Sequence, residues 1–163
     1  MGALEFKGLL SILERTCNLY EMVLETAVRK TEAVKKGDIR ALDQLLAEEQ
    51  KLVGSIQLVE VERQRELHRL FPGKDQLPTL SECIALASGD EKILLEKWHG
   101  RLAKVLKEMK ERNDLNQQLI NQSLQFIHFS LNLLQLNPEQ MNYGPAPSNT
   151  GGVPSTSVFD SKV

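Results

Sequence analysis

Three histidines, two cysteines and several close-set carboxylates are the residues through which this 163-residue chain would do chemistry. His68, His99 and His128 would serve as metal ligands or proton carriers. A metal site in a helical bundle needs Glu-x-x-His steps on facing helices, and three histidines this far apart in the sequence do not suggest one. Cys17 and Cys83 stand 66 positions apart and in no paired motif, so neither a disulfide framework nor a thiolate zinc site is expected. Cys17 falls on an apolar helical seam, where a cysteine behaves as a small buried hydrophobe. Glu48-Glu49 and Glu60, Glu62, Glu66 resemble general acid–base pairs in spacing. On a charged helix such groups belong to solvated faces or pair with Arg63, Arg65 and Arg69. The glycines are scattered, so no phosphate-cradling loop is present. These residue types in this order imply no catalytic group, no cofactor and no metal.

Composition narrows the classes further. Net charge is −2 and aromatics make up 5% of the chain, which argues against nucleic-acid binding by a basic face or by base stacking. Charges appear too early in MGALEFKGLLSILER for a signal-peptide core, and Phe6 stands where a myristoylation pattern at Gly2 wants Ser or Thr. A cytoplasmic location is the expectation.

The elements that would hold any site are marked out by proline. None occurs before Pro72 or between Pro78 and Pro138, and helices run long only where proline is absent. The first stretch carries a seam at Phe6, Leu10, Leu13, Cys17, Tyr20, Leu24, Ala27, Thr31 and Val34, in alternating steps of three and four. Lys35-Lys36-Gly37-Asp38 reads as a helix end, a glycine stop and the N-cap of the next helix. The second seam, Leu42, Leu45, Leu52, Ile56, Val59 and Leu70, lapses at Glu49, Arg63 and Glu66. Phe71-Pro72-Gly73 ends it. Thr79 and Glu82 have capping-box spacing for a short helix through Ala87, and Ser88 with Glu91 repeats that spacing. A last helix is predicted from there to about Leu136. Its seam is Leu95, Trp98, Leu102, Val105, Met109, Arg112, Asn116, Leu119, Ser123, Phe126, Ser130 and Leu133. Trp98 is expected in the core. Arg101, Lys104, Lys107 and Lys110 form a basic flank that is either solvated or a surface for an acidic partner.

The fold class is therefore all-α: an elongated antiparallel bundle, coiled-coil-like, with three long helices and one short one over residues 1–137. Residues 138–163 hold four prolines and three glycines and read as a flexible tail.

One segment departs from the rest. Leu115 to Pro138, LNQQLINQSLQFIHFSLNLLQLNP, has no Lys, Arg, Asp or Glu in 24 residues. Nine Asn and Gln make it a poor membrane span. Ile120, Leu124, Ile127, Leu131 and Leu134 form a second apolar stripe beside Leu119, Phe126 and Leu133. At 1.5 Å per residue the last helix would be roughly 70 Å long and its predecessors about 45–50 Å. Either another part of the chain or a second copy covers the excess, or it is a docking surface for a partner helix.

The opening LLSILERTCNLYEMVLETAVRKTEAVKKGDIRALDQLLAEEQKLV, the continuation VEVERQRELHRLF and the closing LNQQLINQSLQFIHFSLNLLQ together resemble flagellar export chaperones of the FlgN family, and the tail beginning near NYGPAP is similar to that of Bacillus-like members. The resemblance spans residues 4 to 140. It implies an all-helical cytoplasmic chaperone that binds hook-associated (hook–filament junction) proteins through a helical terminal segment before type III export. By position, the client-binding role falls on Leu119, Ile120, Leu124, Ile127, Leu131 and Leu134. Components of the export apparatus and a second copy of the chain are the other expected partners; nucleic acid and membrane insertion are not. The competing reading is a structural coiled-coil protein whose uncharged last helix mediates self-association.

Overall fold

The computed structural model describes residues 4–134, so the tail expected over 138–163 lies outside the described residues. Four helices follow in order among the described residues: α1 (Lys7–Lys36), α2 (Ile39–Leu70), α3 (Leu80–Leu86) and α4 (Gly89–Leu133). Among the described residues there is no strand, and the all-α expectation holds.

Local chemistry sets the boundaries. Gly37 ends α1 at φ 66°, a left-handed conformation that glycine adopts without a Cβ penalty. The N–H groups of Gly37 and Asp38 donate to the carbonyls of Val34 and Ala33, closing the last turn. Asp38 then accepts from the Ala41 N–H and starts α2. This tight turn forces α2 back along α1. The capping box of α3 forms as its spacing predicts, with Thr79 and Glu82 exchanging hydrogen bonds. The repeat at Ser88 does not form. Ser88 makes no side-chain cap, and Glu91 instead accepts from the Phe6 N–H at 2.5 Å, tying the start of α4 to the start of α1.

Helix α1 is the central element and packs along both α2 and α4. Arg15–Glu62, Arg29–Glu48 and Lys30–Glu49 pair across α1 and α2 with numbers running in opposite senses, as antiparallel helices require. The α1–α4 contacts rise together: Phe6 with Glu91, Cys17 with Trp98, Glu21 with Arg101, Thr31 with Asn116. The chain is thus up-down-up, with α1 and α4 parallel.

The core has two continuous parts. Near the amino end of α1, Phe6, Leu9 and Leu13 pack with Leu67, Leu70, Phe71, Cys83 and Leu95. Further along, Cys17, Tyr20 and Val23 meet Ile56, Leu102, Val105 and Met109, and half-buried Trp98 touches both groups. Because α1 faces two neighbours, its buried surface is wider than one seam: Leu9, Ile12, Val23 and Ala33 are inside, whereas Leu10, Leu24 and Val34 are only half-buried. The lapses in the α2 seam are edge positions. Glu49 takes Lys30, Arg63 is held by Glu60, and Glu66 tucks over Gly8 while pairing with Arg69. The buried residue that the α2 seam omits is Leu67, 1% exposed.

Candidate docking surface

The parallel α1–α4 contacts keep an offset of between 80 and 85 residues along their whole length. At the same offset Lys36, the last residue of α1, lies beside α4 no further along than residue 121. Helix α4 nevertheless continues to Leu133, about a dozen residues or roughly 18 Å past the α1–α2 turn. The short helix does not cover this projection. It packs at the opposite end, where Cys83 joins the core beside Leu95.

A polar group marks the last packed level. The Thr31 hydroxyl donates to Asn116 Oδ1 at 2.5 Å, Asn116 Nδ2 donates to the Ala27 carbonyl at 2.9 Å, and Arg112 reaches the Thr31 oxygen at 3.5 Å. Thr31 and Asn116 are both buried. Buried polar groups that satisfy one another favour one register, since sliding would strand each of them without a partner.

Above that level the side chains open to solvent. Leu119, Ile120 and Leu131 are half-buried; Leu124 and Ile127 are 50% exposed, and Leu134, just past the helix end, is 69% exposed. Phe126, Phe129 and Leu133 are exposed too. Phe126 and Leu133, which continue the predicted α4 seam, are therefore outside the core. The seam that packs on α1 runs through Leu102, Val105, Met109 and Asn116. Steps of four and three from Asn116 lead to Ile120, Ser123, Ile127, Leu131 and Leu134, so this stripe prolongs the bundle-facing side of α4 beyond the bundle. Phe126 lies to one side of it. With Leu119, Gln122, Ser123 and Ile127 it borders a groove whose other wall is Val34 and Lys35 of α1. That wall has no signal in the α4 sequence; it depends on where α1 stops.

The groups that could have done chemistry are spoken for. Cys17 is fully buried, points its thiol at the Trp98 carbonyl, and is pushed by burial up to about 11, which keeps it protonated and unreactive at neutral pH. Burial also pushes the Cys83 thiol up. The carboxylates are taken by cations: Glu60 and Glu66 are held below their ordinary values by hydrogen bonds from Arg63 and Arg69, and Glu62 by one from Arg15. One Glu-x-x-His step does occur, at Glu96 and His99, but no cluster of three metal-ligating side chains exists among the described residues. On the basic flank of α4, Arg101 is engaged by Glu21 and stacks over Trp98. No described helix is long and apolar enough to cross a membrane.

What the chain does present is an uncharged apolar helix end, continuous with a packed core. Residues 1–151 match the family described as FlgN protein. A protein of Bacillus subtilis (strain 168) described as "Uncharacterized protein YvyG" is 36% identical over 159 residues, which is 96% of this chain and 98% of the relative. No solved structure gives a significant match. The chain belongs to the FlgN family of flagellar export chaperones.

Proposed function

We propose that this chaperone binds hook-associated, hook–filament junction proteins in the cytoplasm through the projecting end of α4. Leu119, Ile120, Leu124, Ile127, Leu131 and Leu134 cover an amphipathic helix at a terminus of the client. The observation that supports this most is the projection itself: about a dozen residues of helix that outrun α1 and α2 and carry an apolar stripe with no Lys, Arg, Asp or Glu.

The physics suits the task. A client whose terminal helix polymerises exposes an apolar stripe that would self-associate before export. Covering that stripe with another helix replaces the self-contact by a reversible one and needs neither nucleotide nor catalytic group. Asn and Gln along the rim give registry without stranding a buried charge when the client leaves for the export apparatus.

Calorimetric titration with a purified hook-associated protein tests the reading. Leu124→Lys forces an ammonium against the client's stripe, and binding should fall by about a hundredfold or more, since each 1.4 kcal/mol is roughly tenfold in affinity. Helix content and melting temperature should stay near wild type, because the site is open before binding. Unchanged affinity, or loss of fold together with affinity, overturns the assignment. A concentration-independent dimer that binds no client would favour self-association instead.

A further inference from the structure

We infer that the bound helix runs antiparallel to α4, with its carboxyl-terminal end seated on Lys35 and Lys36 at the α1–α2 turn. The inference rests on the docking role proposed above and adds its orientation and its charge anchor.

Two observations carry it. The stripe Ile120, Ile127, Leu134 prolongs the face on which α4 holds α1, so a helix laid there lies nearly in line with α1 and meets it end to end at the turn. The second is charge at that junction. Lys35 forms a wall of the groove beside Phe126 and Ile127. Its one ion pair is a loose, exposed contact to Glu32 at 3.7 Å, and Lys36 has no ion pair among the described residues. Neither lysine is needed to close α1, because the N–H groups of Gly37 and Asp38 already occupy the carbonyls of Val34 and Ala33. The nearby Asp38 carboxylate is turned to the Ala41 N–H.

Beyond this junction the groove is neutral; at the junction the negative carboxyl end of α1 and the positive amino end of α2 offset one another, so the two lysines decide which end of a helix is favoured there. A helix carries about half a negative charge at its carboxyl end and half a positive charge at its amino end. Seating the carboxyl end, with any acidic residues of its last turn, at Lys35 and Lys36 is attractive. The reverse orientation sets like charges against each other.

The test uses a synthetic peptide of the amphipathic terminal helix of a hook-associated protein, carrying a nitroxide at one end or the other. The receptor is the full chain carrying a second nitroxide at Asn132→Cys, an exposed site near the tip of α4; Cys17 and Cys83 are buried and escape labelling. The amino-end label should lie close to the tip, and the carboxyl-end label farther from it by about the docked length, roughly 15–20 Å. Replacing both lysines, Lys35→Gln with Lys36→Gln, should weaken binding about fivefold and flatten its salt dependence. Reversed distances overturn the orientation while leaving the docking role intact. Unchanged affinity in the lysine variant overturns the anchor. A peptide that fails to bind wild type, or binds Leu124→Lys equally well, overturns the docking role and the inference together.

Discussion

The two ends of α4 are made of similar residues and meet opposite fates. Between Leu95 and Met109 its seam of Leu95, Leu102, Val105 and Met109 is buried, packed along α1, and charged side chains line the outer flank. Past Asn116 the apolar positions are more numerous, yet Phe126, Leu133 and Leu134 are about 70% exposed, and the charges are gone. Hydrophobicity therefore does not decide which end is core. Neighbour length does: α1 stops at Lys36 and α2 begins at Ile39, so among the described residues nothing stands beside the last turns of α4. The loss of charge has a separate meaning. A solvated flank keeps charges because they cost nothing in water, whereas a surface that is wet in one state and covered in another is better served by amides.

The widest gap between the two regions should appear on truncating a large side chain. Leu67→Ala removes a residue that is 1% exposed among Phe6, Leu9 and Leu95, and should cost about 2–5 kcal/mol in denaturant unfolding. Phe126→Ala removes a larger side chain that is 70% exposed, and should cost about 0.5 kcal/mol or less. Equal losses would mean that the projecting end is packed in solution, by a second copy or by the tail, and the comparison would collapse.

A smaller effect should appear at the boundary between the regions. Asn116→Ala deletes the acceptor of the Thr31 hydroxyl and the donor to Ala27, and should cost about 1–2 kcal/mol. The cost stays modest because the Thr31 hydroxyl, released from Asn116, can turn its one proton to the Ala27 carbonyl 3.2 Å away. Thr31→Val with Asn116→Leu removes both polar partners and should fall within about 1 kcal/mol of wild type. If the pair sets register, hydrogen exchange in that double variant should show α4 amides beyond Asn116 less protected at unchanged global stability. Unchanged protection would reduce Thr31 and Asn116 to ordinary core contacts.

Much of this was legible in residue order. The proline gaps, Gly37, Asp38 and the Thr79–Glu82 box each name a local event, and each occurs where the sequence places it. Other features depend on distances that residue order does not encode. Glu91 has the spacing of a capping box with Ser88, but its carboxylate accepts from the Phe6 N–H at the start of the neighbouring helix instead. The α1 spacing traces one stripe because periodicity reports on a single helix; flanked by α2 and α4, α1 buries Leu9 and Val23 as well. For the docking stripe, the residues stand out through their missing charges. Their exposure and the lysine-edged wall opposite follow only from the offset between α1 and α4.

The smallest expected effect lies in the packed region, at Gly8. This glycine sits in the first turns of α1, and a Cβ there would fall inside van der Waals contact of the Glu66 carboxylate from α2. Helix propensity favours alanine over glycine by about 1 kcal/mol in a helix interior and by less at Gly8, the second residue of α1. Against that gain stands the displacement of Glu66, which is tucked in and accepts two hydrogen bonds from Arg69, its carboxyl held below the ordinary range by that guanidinium. The obstacle is the far end of a flexible side chain rather than backbone, so Glu66 can swing outward and keep Arg69 with it. Surface pairs of this kind contribute less than about 1 kcal/mol. The two terms nearly cancel, and Gly8→Ala should shift stability by no more than about 0.5 kcal/mol in either direction. Glu66→Ala on the Gly8→Ala background removes the obstacle and should recover the propensity gain. A loss of several kcal/mol in the single variant would show that α1 and α2 approach here through backbone contact, and that the packed region is as intolerant at its edge as at Leu67.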